Sequence, residues 1–125
     1  MILDMYAEQI LDLYKNPRNF GRLDKPDLVS RDTNPLCGDE VELQASIKNS
    51  KIEKAMFTGK GCAISQASAS LLTEMVIGKT VKQVLEIKQA EMISTLGVEI
   101  SAARMKCAML GLRTLQKGLL GYNAK

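Results

Sequence analysis

The stretch Asn34-Pro35-Leu36-Cys37-Gly38-Asp39 constrains this chain most, because it places a thiol and a carboxylate two positions apart. Pro35 fixes its own φ angle, and Gly38 carries no Cβ that would obstruct a bound atom. If Gly38 lies in extended backbone, the side chains of Cys37 and Asp39 project to the same side. We therefore expect these two side chains to face one point.

The sequence has two further cysteines, Cys62 and Cys107, and it has no histidine. The absence of histidine excludes imidazole acid–base chemistry and histidine metal ligands from this sequence. The odd number of cysteines argues against a framework of disulfides. The three thiols must therefore act with carboxylate, lysine, arginine or backbone groups as neighbours.

Each candidate residue has a simple structural explanation beside a functional one. Cys62 follows Gly59-Lys60-Gly61 and precedes a predicted helix, whose dipole and N–H groups would stabilise a metal-binding thiolate. The alternative for Cys62 is a small buried residue behind a tight turn. Cys107 follows Lys106 near the start of the last predicted helix, where cations would stabilise a thiolate. Asp39, in the simpler interpretation, only accepts a hydrogen bond from a turn amide.

The three cysteines lie far apart along the chain. Zinc ribbons and ferredoxins instead bring their ligands in C-x₂-C pairs, a pattern that this sequence lacks. A single site formed by Cys37, Cys62 and Cys107 must therefore be assembled by tertiary structure, from three separate loops or helix starts. On this interpretation Asp39 adds a fourth ligand to the metal site.

The apolar pattern predicts one helix, then a small antiparallel sheet, then helices only. The expected elements are a helix at 1–15 with Leu3, Tyr6, Ile10 and Leu13 on one face, a short strand at 28–32, a hairpin with strands at 41–48 and 51–58, and helices at 63–77, after Thr80, near 90–95 and at 101–120. This segregation of strands from helices indicates an α+β fold with the helices packed on one face of the sheet.

A stripe of small residues runs along the last predicted helix, at Cys107, Gly111, Thr114 and Gly118. Glycine inside a helix costs about 1 kcal/mol relative to alanine, so two glycines on one stripe need an explanation. We expect the stripe to permit the close approach of another element or of a partner. For Gly118 alone, a frayed helix end is the alternative.

The 125 residues, 46% of them apolar, predict a single domain over 1–125 with a sizeable core. Aromatic residues make up 4%, and the lysines and arginines are scattered over a net charge of +3, which argues against nucleic acid as a partner. No apolar run approaches the roughly 18 residues of a membrane span, so we expect no membrane partner. Acidic residues among the first twenty do not suit a signal peptide, so we expect a cytoplasmic location.

Each cysteine lies in a distinct sequence motif. In chain order, the motifs are 34–39, Gly59-Lys60-Gly61-Cys62-Ala63-Ile64-Ser65 and Lys106-Cys107-Ala108. Together with Tyr14, Asn16, Pro17 and Asn19, they resemble the IscU/NifU-type iron–sulfur cluster scaffold family, which includes the SufU branch. The resemblance spans nearly the whole chain. It implies an α+β fold with a three-stranded antiparallel sheet and a site of Cys37, Asp39, Cys62 and Cys107 near one end of the molecule. It also implies that the protein receives sulfur from a cysteine desulfurase.

Two functions remain open on this resemblance. The first is a scaffold that binds iron and assembles a [2Fe–2S] cluster for transfer to apo iron–sulfur acceptor proteins, with the three thiols receiving persulfide sulfur and Asp39 as the weak ligand. The second is a zinc-dependent sulfur acceptor of the SufU type, which is an enzyme and holds Zn²⁺ with the same four residues. A homodimer is a further expectation.

The sequence departs from the family pattern at three points. Lys106, a candidate auxiliary ligand, stands where IscU proper has histidine and matches the SufU branch. The insertion that lengthens SufU proteins between the second and third cysteines is missing, which favours the scaffold. The segment 100–105 also lacks the Leu-Pro-Pro-Val-Lys motif that IscU presents to its chaperone, so we expect no tight binding of that chaperone here.

Overall fold

The fold of the chain is given by a computed structural model that describes residues 2–123, with side chains described over 8–122. Its elements are α1 (Ile2–Lys15), β1 (Leu28–Asn34), β2 (Asp39–Lys48), β3 (Lys51–Lys60), α2 (Ala63–Val76), α3 (Val81–Leu85), α4 (Gln89–Leu96) and α5 (Met105–Asn123). The strands form one antiparallel sheet in the order β1-β2-β3. The predicted α+β class and the three-stranded sheet are confirmed.

Short turns join the three strands and fix their antiparallel pairing. Asn49 and Ser50, between β2 and β3, have φ angles of 54° and 63°. Two consecutive positive φ angles are the geometry of a two-residue type I′ hairpin turn, which matches the twist of the flanking strands. The predicted hairpin is therefore confirmed. β1 is longer than predicted, because Thr33 and Asn34 continue the ladder and Asn34 pairs with Asp39.

The helices cover one face of the sheet and bury its apolar residues. α5 packs on β1 and β2, while α2 packs on β3. Alternate residues of β2 point into this layer, and Leu43 is fully buried there beside Phe57. Buried residues from the sheet and from these helices form one apolar core. It includes Val41, Leu43, Phe57, Leu72, Val76, Leu112, Leu115 and Leu119.

The first helix docks on α2 through a second, smaller apolar cluster. Ile10 and Leu13 are buried there against Ala67 and Leu96, as the amphipathic pattern predicted. Leu3 and Tyr6, which we predicted on the same face, lie outside the described side chains. α1 ends at Lys15, just before the Asn16-Pro17 pair.

Local sequence signals end and begin the later helices as expected. Thr80 caps α3 in a capping box with Gln83, and Gly97 ends α4 in the left-handed conformation with φ 78°. The last helix differs from the prediction, because Ala102–Arg104 form a 3₁₀ turn before the α-helix begins at Met105. Among residues 2–123, none of the helices combines the length and the apolar character that a membrane crossing requires.

The small-residue stripe on α5 permits close contact with α2 and with β1. A Cβ added at Gly111 would lie 3.3 Å from the Cα of Ala69, and one at Gly118 would lie 2.6 Å from the Cβ of Ser30. α5 continues to Asn123, so Gly118 is not a frayed end. The expectation of a close approach is confirmed, and the approaching elements belong to the same chain.

Two glycine-to-alanine substitutions on α5 test this contact. Gly118→Ala should destabilise the protein by about 1–3 kcal/mol, because a methyl group cannot fit against Ser30 without a backbone shift. Gly121→Ala is the control, since a Cβ there meets nothing within 4 Å. It should be neutral or stabilising by up to about 1 kcal/mol, through helix propensity alone. Urea unfolding followed by circular dichroism measures both. Equal effects of the two substitutions would contradict the close packing.

Candidate metal centre

The four residues singled out in the sequence come from four different places in the fold. Cys37 lies in the turn between β1 and β2, and Asp39 is the first residue of β2. Cys62 directly precedes α2, and Cys107 is the third residue of α5. The start of β2, the end of β3 and the starts of two helices meet at one end of the sheet, so tertiary structure assembles the group.

The turn that carries Cys37 has a different backbone from the one expected. Gly38 has φ +69°, so it is left-handed rather than extended. The Cys37 N–H donates to the Asn34 carbonyl at 3.2 Å, and the Asn34–Asp39 pair closes the turn. Cys37 and Asp39 are therefore brought together by a hairpin turn, not by strand alternation. A Cβ at Gly38 would meet nothing within 4 Å, so the φ angle, rather than space, favours glycine there.

Asp39 is fully buried, and its two carboxylate oxygens have different neighbours. Oδ1 accepts a hydrogen bond from the Cys62 backbone N–H at 2.8 Å, while Oδ2 lies 3.8 Å from the Cys62 Sγ. The simpler interpretation of Asp39, as the acceptor for a turn amide, is thus correct for one oxygen only. A Cβ at Gly61 would clash with the Asp39 carboxylate, so this contact also requires glycine.

Cys62 is the N-cap residue of α2, which confirms the predicted helix start. Its Sγ accepts the Ser65 backbone N–H at 3.4 Å, and the Ser65 hydroxyl donates to the Cys62 carbonyl at 3.1 Å. The Cys62 sulfur therefore replaces the oxygen that usually caps a helix, and its position is fixed relative to the helix axis. The side chain is half-buried, at the rim of the site.

Cys107 is fully buried, and its Sγ lies 3.4 Å from the Cys37 Sγ. The Asn34 side-chain amide approaches the same sulfur at 3.9 Å. Burial, followed by contacts with the thiols and with Asp39, raises the pKa of the Cys107 thiol to about 12. Arg104 and Lys106 are exposed, and neither is among the causes of this raised pKa. That neighbouring cations stabilise a thiolate or a metal–thiolate cluster here stays a prediction.

Donor atoms of Cys37, Asp39 and Cys107 all lie within 4.8 Å of one another. Cys62 lies outside this mutual distance but touches Asp39, so the carboxylate joins the fourth residue to the group. Three thiols and one carboxylate suit tetrahedral Zn²⁺ and also suit iron in a sulfide cluster, so the donor set fits both groups. Among residues 8–122, no hydrogen bond or ion pair joins Lys106 to these four residues.

Two contributing residues received no role from the sequence. Asn34 is buried and contacts Cys107, and Ser65 holds the Cys62 sulfur. Ser65 is detectable in principle, because it stands three residues after a helix cap, where the first free N–H groups lie. Asn34 has no such signal, since its contact with Cys107 joins residues 73 positions apart.

Comparison with known proteins gives a family match over almost the whole chain. A family model described as the NifU-like N terminal domain matches residues 5–125. The iron–sulfur cluster assembly scaffold protein IscU 1 of Archaeoglobus fulgidus is 33% identical over 121 residues, covering 97% of this chain and 78% of that protein. The zinc-dependent sulfurtransferase SufU of Bacillus subtilis is 34% identical over 132 residues, covering 92% of this chain and 89% of that protein.

Solved structures give the same fold. A candidate scaffold protein for iron–sulfur cluster assembly in the SUF system, from the thermophile Fervidobacterium islandicum AW-1, superposes with a TM-score of 0.79 at 31% identity. The match covers 93% of this chain and 97% of that one. One of the named relatives is a scaffold and another is a zinc-dependent sulfurtransferase. These are the two functions that the sequence left open.

The two oxygens of Asp39 can be separated by substitution. Asp39→Ala removes the acceptor for the part-buried Cys62 N–H and should destabilise the metal-free protein by about 1–3 kcal/mol. Asp39→Asn keeps an acceptor oxygen for that N–H and should lose clearly less stability. Urea unfolding under reducing conditions, with a chelator present, measures the difference. An equal loss in both variants would show that the Cys62 hydrogen bond does not stabilise the site.

Proposed function

The chain belongs to the NifU-like N-terminal domain family, and from this premise we propose that residues 1–125 form a single domain that acts as an iron–sulfur scaffold. A [2Fe–2S] cluster is assembled on it and then passed to apo iron–sulfur acceptor proteins. The observation that carries the proposal is the meeting of three thiols and a carboxylate at one end of the sheet, with one thiol exposed. Relatives named as scaffolds support it.

The proposed ligands are Cys37, Asp39, Cys62 and Cys107. Iron–sulfur clusters are usually held by thiolates, so the carboxylate is the harder and weaker ligand. Oδ1 of Asp39 accepts the Cys62 N–H, so we assign iron binding to Oδ2, which contacts the Cys62 sulfur. Cys107 is protonated in the metal-free protein, so cluster binding must displace its proton.

A cysteine desulfurase is the proposed sulfur donor. Persulfide sulfur passes between proteins by direct thiol exchange, which requires an accessible thiol. Cys37 is exposed, whereas Cys62 is half-buried and Cys107 is buried, so Cys37 is the first acceptor. Leu36 stands beside it with 82% of its surface exposed and offers an apolar contact to the donor.

Zinc-dependent sulfur transfer is the second candidate function. It is favoured by the relative named as a zinc-dependent sulfurtransferase and by the exposure of Cys37. Zn²⁺, when bound, supplies a Lewis-acidic charge that keeps its thiol ligands deprotonated at neutral pH. Cys62, Cys107 and Asp39 would hold the ion in the interior, and Cys37 would face the sulfur donor.

Two further expectations remain predictions, namely a cytoplasmic location and a homodimer. The proposed chemistry depends on neither of them, because all four ligands come from one chain. A second copy would matter only if it shared a cluster across the exposed Cys37.

An anaerobic spectrum separates the two functions. After incubation with iron, cysteine, a cysteine desulfurase and a thiol reductant that converts persulfide sulfur to sulfide, the scaffold should show visible thiolate-to-iron charge-transfer bands and bind iron and sulfide in equal amounts. A colourless, zinc-loaded protein that gains sulfur on Cys37 would instead support the sulfurtransferase.

Serine substitutions test the three thiol ligands. In reconstitution with iron and sulfide salts, Cys37→Ser, Cys62→Ser and Cys107→Ser should each lose the stable cluster, while the control Leu36→Ser retains it. A serine variant that binds iron and sulfide as the parent does would remove that cysteine from the site.

The rate of cluster transfer tests whether Asp39 is the ligand that dissociates and so opens a coordination position. When another ligand such as water, Lys106 or a second subunit completes the cluster in place of the carboxylate, the labile position by which an acceptor thiol enters is lost, so Asp39→Ala and Asp39→Asn should both slow transfer. Asp39→Cys should hold the cluster more strongly still. The measurement is transfer to an apo-ferredoxin at fixed cluster loading. If only the alanine variant is slow, the effect comes from the lost Cys62 hydrogen bond. If neither is slow, Asp39 does not control release.

A further inference from the structure

Cys37 and Cys107 are in contact, with their sulfur atoms 3.4 Å apart, although one is exposed and the other buried. We propose that they act as a thiol pair through which the chain itself reduces sulfur delivered to Cys37 and releases it as sulfide. The inference rests on the proposed function in one respect only, namely that sulfane sulfur reaches Cys37. It assigns to Cys107 a second role, as the resolving thiol of the metal-free protein.

The reaction balances within the chain. Cys37 carries the incoming sulfur as a persulfide, and the Cys107 sulfur attacks the Cys37 Sγ. The bond between the two Sγ atoms forms, and the bond from the Cys37 Sγ to the terminal sulfur breaks. The terminal sulfur leaves with the electron pair of that bond and takes up the Cys107 proton, so it departs as hydrogen sulfide. One sulfane sulfur is reduced by two electrons, and two thiols are oxidised to one disulfide.

The surroundings of the two sulfurs favour attack on the inner sulfur rather than on the terminal one. Cys107 has no exposed surface and already touches the Cys37 Sγ, which must close from 3.4 Å to about 2.05 Å. Attack on the inner sulfur requires the terminal sulfur to lie on the side away from Cys107, and Cys37 is the exposed member of the pair. Relay of that sulfur onto Cys107 would require space for an extra atom in the closely packed interior.

The contact between the two sulfurs favours this step over attack by a thiol from solution. Reacting groups that are held together in the right geometry reach effective concentrations on the order of 10⁵ M, far above the roughly 1 mM of a free thiol. Cys107 already touches the Cys37 sulfur. Proximity therefore favours Cys107 as the attacking thiol.

The Cys62 sulfur lies outside the group of donor atoms that are within 4.8 Å of one another, so we do not assign it to the pair. The resulting disulfide removes two of the proposed ligands, so each chain yields one sulfide and then requires an external thiol to restore it. A metal ion held by both thiols would block the reaction.

The test uses the full-length, metal-free, reduced protein with glutathione persulfide as the sulfur donor, without oxygen. Released sulfide is trapped and counted, and the thiol state is read by intact mass and by peptide mapping without reduction. The parent and the control variant Gly121→Ala should release one sulfide per chain and gain a Cys37–Cys107 disulfide, since a Cβ at Gly121 meets nothing within 4 Å. Cys107→Ser and Cys107→Ala should keep the extra sulfur on Cys37 and release sulfide at least about tenfold more slowly. Circular dichroism confirms that the variants fold.

The outcomes separate this inference from the proposed function. Sulfide release by both Cys107 variants at the rate of the parent overturns the inference, as does a disulfide that joins a different pair. If the Cys107 variants hold sulfur on Cys37 while the parent releases none, the inference fails and the acceptor role survives. If no variant gains sulfur on Cys37, the acceptor role fails and the inference fails with it.

Discussion

The hydrogen bond from the Cys62 N–H to Asp39 Oδ1 is the interaction on which the site depends. It joins the first residue of β2 to the residue that starts α2, at 2.8 Å and with the carboxylate fully buried. A buried carboxylate is costly unless its oxygens are satisfied, so this bond keeps Asp39 in place and also holds Cys62 beside it. The glycine at 61 follows from the same contact, because no other residue leaves room for the carboxylate.

The site has a gradient of exposure that gives chemically similar thiols different roles. Cys37 sits on a hairpin turn in solvent, Cys62 lies at a helix cap, and Cys107 is inside the core. A thiol in solvent exchanges with partners, whereas a buried thiol resists ionisation until a metal replaces its proton. The gradient arises because the turn projects from the sheet edge while α5 packs on the strands below it.

The sequence predicted the parts of this arrangement that depend on neighbouring residues. The alternation in β2, the cap at Thr80 and the stripe at Gly111 and Gly118 are local signals, and all three are confirmed. The left-handed Gly38 was missed, because an Asn-Pro-Leu-Cys-Gly-Asp stretch suits both an extended and a turn conformation. The burial of Cys107 was missed as well, since charged neighbours along the chain say little about which side of a helix faces the core.

The same four donors suit zinc and a [2Fe–2S] cluster, so the fate of Cys37, rather than the ligand set, distinguishes the two functions. A sulfur acceptor must free Cys37 in every cycle, whereas a scaffold must hold it until the cluster leaves. Cys62 and Cys107 are fixed by helix starts, and Asp39 is fixed through Oδ1. The exposed residue among the four proposed ligands is therefore Cys37, beside a glycine with open space around it. If these residues bind the metal as proposed, ligand exchange in either function begins at this hairpin turn, while the other three would keep the metal in place.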